Sequence, residues 1–162
     1  YIQISEAFRR KQDTLHFIKK AEKDTLAVYK YPEGTLVDLN EADTTELKKI
    51  PGIGSGIARM IVAYRKRLGG FYDMAQLKEV NYVDEDMLRW FKLGNAPIHR
   101  INANKAGLDK LRSHPYMNFY QAKVIIEYRR KKGKLKSLSQ LSLYEEFTEK
   151  DLERLSYYLA FD

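Results

Sequence analysis

The chain repeats itself at a fixed offset of 64 residues, so any fold it adopts must be built from one unit used twice. Laying residues 37–80 on 101–144 needs no gap. It brings identical residues together at Asn40/Asn104, Ala42/Ala106, Leu47/Leu111, Pro51/Pro115, Ala58/Ala122 and Ile61/Ile125. The identities continue at Tyr64/Tyr128, Arg65/Arg129, Gly69/Gly133, Gln76/Gln140 and Leu77/Leu141. A single extra residue then sets Asp86–Trp90 over Asp151–Leu155. The organisation this implies is a leading segment over 1–36, a first unit over 37–98 and a divergent second unit over 99–162.

Within each unit the apolar spacing is helical. Asp43 and Thr44 are N-capping types, and Leu47 and Ile50 share one face of a short helix that Pro51 stops. Beyond a cluster of glycines, Ile57, Met60, Ile61 and Tyr64 recur at helical spacing, and Gly69 and Gly70 supply a left-handed stop. Asp73 and Asp84 are placed to cap two further helices, and Gly133, Ser137 and Thr148 take the corresponding places in the second unit. The expected fold is all-α, with about four short helices in each unit. Residues 1–36 do not complete a unit. Ser5–Asp24 reads as a helix with Phe8, Leu15 and Ile18 as its contacts, and Thr25–Pro32 as an extended connector. Tyr1–Ile4 resembles Tyr158–Phe161, and the chain begins without methionine, so an upstream piece that ends in a third copy is expected.

The stretch Pro51-Gly52-Ile53-Gly54-Ser55-Gly56 sits between the first two helices of the first unit. A hairpin that turns within a few residues needs positive φ, which glycine reaches without a Cβ penalty, and Gly52 and Gly54 are expected to serve that need. Ile53 would be the apolar plug of the turn. The helix that follows starts near Ser55 with unpaired N–H groups at the positive end of its dipole, and such an end suits an anion. A turn that touches nothing satisfies the same residues. A dinucleotide fingerprint is excluded, because Ile57 stands where its third glycine belongs, and a P-loop lacks its Gly-Lys-Ser/Thr ending.

The pattern Leu47-x-x-Ile50-Pro51-Gly52-Ile53-Gly54-x-x-x-Ala58-x-x-Ile61-x-x-x-Arg65 resembles the helix-hairpin-helix motif. The wider unit, from Leu39-Asn40-x-Ala42 through Gly70-Phe71 to Leu77, is similar to the C-terminal DNA-binding domain of the competence protein ComEA and related DNA-uptake proteins. The resemblance implies binding of double-stranded DNA without sequence preference, through hairpin amides on phosphates. In some members a monovalent cation sits at the hairpin; no other cofactor is expected. Carried onto this chain, the contacting positions are Gly52, Ile53, Gly54, Ser55 and Gly56, with Arg59 as a nearby donor. The cell envelope is implied by the resemblance alone.

The second copy departs from the pattern. Its hairpin reads Pro115-Tyr116-Met117-Asn118-Phe119-Tyr120, so side chains replace the glycines, although Asn118 is compatible with a left-handed turn. Tyr116, Phe119 and Tyr120 would crowd a phosphate there and are expected to pack within or between units, which gives the second unit the alternative role of a protein-interaction module. Charge is distributed the other way. The chain carries 29 Lys and Arg against 22 Asp and Glu, net +7, and the first unit contributes none of that excess. Residues 99–162 carry thirteen basic against eight acidic residues, concentrated in Arg129, Arg130, Lys131, Lys132, Lys134 and Lys136. This run suits a phosphate track, and equally a solvated helix end or an anionic membrane surface.

Other classes find little support. Cysteine is absent, which excludes disulfides and thiolate chemistry, and His16, His99 and His114 match no metal-ligand spacing. No apolar run approaches the roughly 18 residues of a membrane helix, and the chain reads as soluble. No catalytic arrangement or small-molecule site is recognisable, so a DNA-binding protein without enzymatic activity is expected.

Overall fold

The computed structural model describes residues 29–162; the readings made for Tyr1–Ile4 and Ser5–Asp24 lie outside them. In the first unit β1 (Val37–Asp38) leads to α1 (Thr44–Leu47), α2 (Ser55–Leu68), two 3-10 helices (Met74–Glu79 and Glu85–Trp90) and β2 (Phe91–Lys92). The second unit runs β3 (Ile101–Asn102), α3 (Leu108–Arg112), α4 (Phe119–Lys132), a 3-10 helix (Leu138–Leu141), α5 (Glu149–Leu155) and β4 (Leu159–Ala160).

The all-α expectation is corrected in one respect. Each unit is closed by a parallel two-residue ladder, Val37 opposite Phe91 and Ile101 opposite Leu159, so the whole unit is the crossover between its own strands. A ladder this short leaves no alternation to read in sequence. The expected caps are in place: Asp43, Asp73, Asp84 and Thr148 each accept a backbone N–H, and Ser137 forms a capping box with Gln140. Gly69 ends α2 in the left-handed conformation (φ 94°).

The repeated identities are explained by the fold. Asn40 clamps Phe71 by accepting its N–H (2.7 Å) and donating to its carbonyl (2.9 Å), and Asn104 holds Leu135 in the same way (2.8 Å each). Arg65 donates to the Leu39 and Ala42 carbonyls, and Arg129 to that of Ala106. Leu47, Ala58, Ile61 and Leu77 and their counterparts Leu111, Ala122, Ile125 and Leu141 are fully buried. Trp90 and Phe91 are buried as well, in one apolar core that runs through both units.

The units are joined by a buried polar seam. The Gln76 side-chain carbonyl accepts from the N–H groups of Tyr72 (2.7 Å) and Asp73 (3.0 Å) in its own unit. Its amide donates across the seam to the hydroxyls of Tyr116 (2.9 Å) and Tyr158 (2.7 Å). Each hydroxyl passes its own proton back to the first unit, Tyr158 to the Gly70 carbonyl (2.7 Å) and Tyr116 to the Glu79 carboxylate (2.8 Å). Tyr72 stacks on Tyr157 with ring centroids 3.8 Å apart. Burial raises the pKa values of Tyr116 and Tyr158 above the ordinary tyrosine value, and the Glu79 carboxylate adds to the rise.

The lengthening that supplies this seam exceeds the single residue read from sequence. The N-caps Asp84 and Thr148 still lie 64 apart, whereas the strand residues Phe91 and Leu159 lie 68 apart, so four residues are added between them. They make room for a full α-helix at α5 and for the turn that carries Tyr157 and Tyr158 into the first unit.

Gln76 and Gln140 form the same cap, but only Gln76 also serves the seam; the Gln140 amide donates to Tyr128 of its own unit. Gln76→Met, which leaves two amides and two hydroxyls short of a partner, is expected to destabilise by about 2–4 kcal/mol in urea denaturation. Gln140→Met, at a partly exposed site, should cost about half as much.

Candidate nucleic-acid interface

Gly54 is the N-cap of α2, in extended backbone (φ −92°), and the first N–H to find a helical acceptor is that of Ala58, bonded to the Gly54 carbonyl (3.0 Å). Ile53 plugs the turn, 1% exposed, and its N–H is bonded to the Ile50 carbonyl (3.1 Å), so this residue is a plug and not a free donor. Among the described residues nothing accepts from the N–H groups of Gly52, Gly54, Ser55, Gly56 or Ile57. These groups gather at the start of a 14-residue helix whose dipole reinforces their positive charge.

Of the hairpin glycines only Gly52 has the left-handed backbone (φ 87°); the positive φ expected at Gly54 is not found. A Cβ added at Gly54 or Gly56 would meet nothing within 4 Å. The chain's own packing therefore gives no reason for glycine at either position. Within the first turn of a helix, Gly56 costs about 0.5–1 kcal/mol relative to alanine. What bare backbone provides at these exposed positions is access from outside.

The opposite side of this hairpin is already occupied. The Lys30 ammonium lies 2.5 Å from the Lys48 carbonyl oxygen, 3.4 Å from that of Ile50 and 3.3 Å from that of Ile53. Partial burial lowers its pKa from the ordinary lysine value. The monovalent cation implied by the resemblance does not fit beside it, because the same oxygens already face a charged group of like sign.

The second hairpin satisfies most of its amides internally, and among the described residues only the N–H groups of Phe119 and Tyr120 lack an acceptor. Asn118 is an extended N-cap (φ −94°) and not left-handed; it accepts from the Gln121 N–H (2.8 Å), and Gln121 accepts from the Asn118 N–H (2.9 Å). The N–H groups of Met117 and Tyr116 are bonded to the carbonyl and Nδ1 of His114 (3.0 Å each). Tyr116 is buried in the seam, with the Arg154 guanidinium 4.1 Å from its ring centroid. Phe119 and Tyr120 remain 42% and 68% exposed and meet edge to face.

His114 is buried in the place of Ile50, with Nε2 donating to the Leu68 carbonyl across the seam (2.8 Å) and Nδ1 accepting from Tyr116. This pairing specifies the neutral Nε2–H tautomer. Burial, aided by the charges of Arg67 and Arg154 and only partly offset by the Leu68 bond, pushes its pKa down to about 4.

The basic residues fall into separate groups. Arg59 is exposed on α2. Arg129 is committed to the Ala106 carbonyl, whereas Arg130, Lys131, Lys132 and Lys134 are exposed around the end of α4. A further group was not legible in sequence. Lys66, Arg67 and Lys110 line clefts of about 690 and 510 Å³ at the junction of the units, together with His99 and Arg100. Lys66 and Arg67 are neighbours in the chain, as are His99 and Arg100, and only the fold brings the two pairs and Lys110 together. By helical rise this junction lies roughly 15–20 Å along α2 from its N-terminus.

Two measurements follow from this geometry. Gly56→Ala should stabilise the protein by about 0.5–1 kcal/mol in urea denaturation, an outcome that a packing role for Gly56 would reverse. For His114, a depressed native pKa means that its contribution is complete above pH ~6.5 and is lost as pH falls from there towards 4. It should amount to about 2 kcal/mol between pH 7.5 and 5.0, and the imidazole should remain neutral at pH 5 by NMR.

Comparison with known proteins agrees with this architecture. The helix-hairpin-helix motif matches residues 33–90 and again 97–160. The endonuclease/exonuclease/phosphatase family domain-containing protein 1 of Mus musculus is 28% identical over 138 residues, covering 65% of this chain and 24% of that protein; the Rattus norvegicus protein gives the same figures. The protein of that name from Danio rerio is 27% identical over 143 residues, covering 75% and 26%. The chain thus spans about a quarter of the length of these relatives. No solved structure matches it. With the motif found in both copies, over most of the chain, and with a hairpin between two helices in each, the protein belongs to the helix-hairpin-helix family.

Proposed function

We propose that this chain binds double-stranded DNA through its phosphate backbone without sequence preference. The phosphate site is the first hairpin, formed by the N–H groups of Gly52, Gly54, Ser55 and Gly56, with Arg59 beside it. The observation that carries this reading is the pair of exposed glycines at 54 and 56, which neither backbone conformation nor packing requires and which leave open amides accessible. Backbone amides recognise phosphate and not base edges, so sequence preference is absent by construction. The exposed cations from Arg130 to Lys136 and those at the junction extend the contact electrostatically.

In this reading the chain holds DNA and has no catalytic centre of its own. The groups with displaced pKa values in the seam, Tyr64, His114, Tyr116 and Tyr158, are engaged in packing and hydrogen bonds between helices and units. The resemblance to ComEA favours DNA uptake as the setting. The relatives are named for an endonuclease/exonuclease/phosphatase family domain, which favours a second setting, in which another part of a longer protein carries the chemistry and this chain holds the nucleic acid. A protein partner is the second reading, and it rests on the exposed rings of Phe119 and Tyr120 at a hairpin where most amides are bonded internally.

Fluorescence anisotropy of a labelled random-sequence duplex tests the proposal. The expected Kd is ~1–100 µM at about 50 mM salt, weakening steeply at about 200 mM, with a slope near −0.9 per neutralised phosphate. Gly56→Ala should weaken binding about fivefold or more while raising stability, and Tyr120→Ala should leave it unchanged. Binding that is indifferent to Gly56→Ala would remove the first hairpin from the interface.

A further inference from the structure

The three carbonyl oxygens that converge behind the first hairpin belong to Lys48, Ile50 and Ile53, and they use the three donors of one ammonium group, that of Lys30. The lysine is held there by its neighbour. The Tyr31 N–H is bonded to the Lys49 carbonyl (2.8 Å), and the Lys49 ammonium lies over the Tyr31 ring (5.7 Å). Carbonyl oxygens crowded together repel one another unless a cation sits among them, and here the cation comes from the chain. The second hairpin offers a comparison. Among the described residues no lysine donates to the corresponding carbonyls of Arg112, His114 and Met117, and that hairpin bonds the N–H groups of Tyr116, Asn118 and Gln121 internally. The copy with the lysine leaves five N–H groups open, and the copy without it leaves two, those of Phe119 and Tyr120.

We propose that the Lys30 ammonium is a built-in cation for the first hairpin, standing where the resemblance places a monovalent metal ion. The hairpin then keeps its shape, and a positive charge behind its amides, without any ion from solution. Its consequence for DNA rests on the phosphate-binding reading above; its consequence for the fold does not.

The test compares wild type, Lys30→Met and Lys30→Gln in potassium, sodium and tetramethylammonium chloride at equal ionic strength, by thermal unfolding and by duplex anisotropy. Wild type should show the same Tm and the same Kd in all three salts. Lys30→Met should have a lower Tm in tetramethylammonium, recovered in part by potassium or sodium, which can enter the vacated carbonyl cage. Its Kd should be weaker by about fivefold or more in tetramethylammonium, with partial recovery in the alkali salts. Lys30→Gln keeps hydrogen-bond donors without the charge, so the measurement remains available if the methionine variant folds poorly. Its Kd in tetramethylammonium should also weaken. A wild type that responds to potassium or sodium would overturn the proposal, as would variants indifferent to the loss of Lys30 or not rescued by either alkali ion. If no protein binds DNA, the functional reading fails while the thermal series still decides the role of Lys30.

Discussion

The side-chain amide of Gln76 is the point on which the two units depend. It is 4% exposed and makes four hydrogen bonds, two that cap a 3-10 helix of the first unit and two that hold tyrosines of the second. An amide buried this deeply must have every partner present, because a missing one leaves a desolvated group behind. The requirement is directional. Tyr116 and Tyr158 must accept from Gln76 and so must donate elsewhere, and the acceptors at Gly70 and Glu79 fix where each ring lies. One side chain thereby sets the relation of hairpin, helix and neighbouring unit.

The same constraint separates the fates of the two hairpins. Tyr116, buried in the seam, occupies the position of Gly52, so the second hairpin pays for the joint between units with its own openness. His114, Asn118 and Gln121 then satisfy the N–H groups of Tyr116, Met117, Asn118 and Gln121, and leave those of Phe119 and Tyr120. In the first hairpin the corresponding N–H groups face outward, and their needs are left to whatever approaches. A helix start can be satisfied from within or from outside, and the second hairpin follows the first course much further than the first hairpin does.

Much of this was legible in the sequence. Spacing located the helices, glycines and caps their ends, and the internal repeat the two units, because each of these signals is local. The two-residue ladders were not legible, since a strand that short has no period. Asn118 is compatible with a left-handed turn and is also a good N-cap, and the Gln121 partner decides the matter in favour of the cap. Gly54 was expected to need an unusual φ; its backbone is ordinary, and its bareness faces outward. Arg129 looked like part of a basic run, yet its repetition at Arg65 was the better guide, since both arginines hold a loop carbonyl. Lys30 carried no signal, because a lysine 18 residues before the first carbonyl it binds resembles any other surface lysine.

The seam also limits how far the pattern can be extended. The first unit presents a receiving face made of Gly70, Tyr72, Gln76 and Glu79, and the second inserts its tyrosines into it, a head-to-tail relation that in principle continues from copy to copy. The matching face of the second unit carries Lys134 in place of Gly70, Lys136 in place of Tyr72 and Leu143 in place of Glu79. A lysine now stands where a bare carbonyl would be approached, no ring is offered for stacking, and no carboxylate is present to take a tyrosine proton. The seam is therefore written into one face of one unit, and the second unit repeats the fold around it without repeating the ring and the carboxylate that hold Tyr157 and Tyr116.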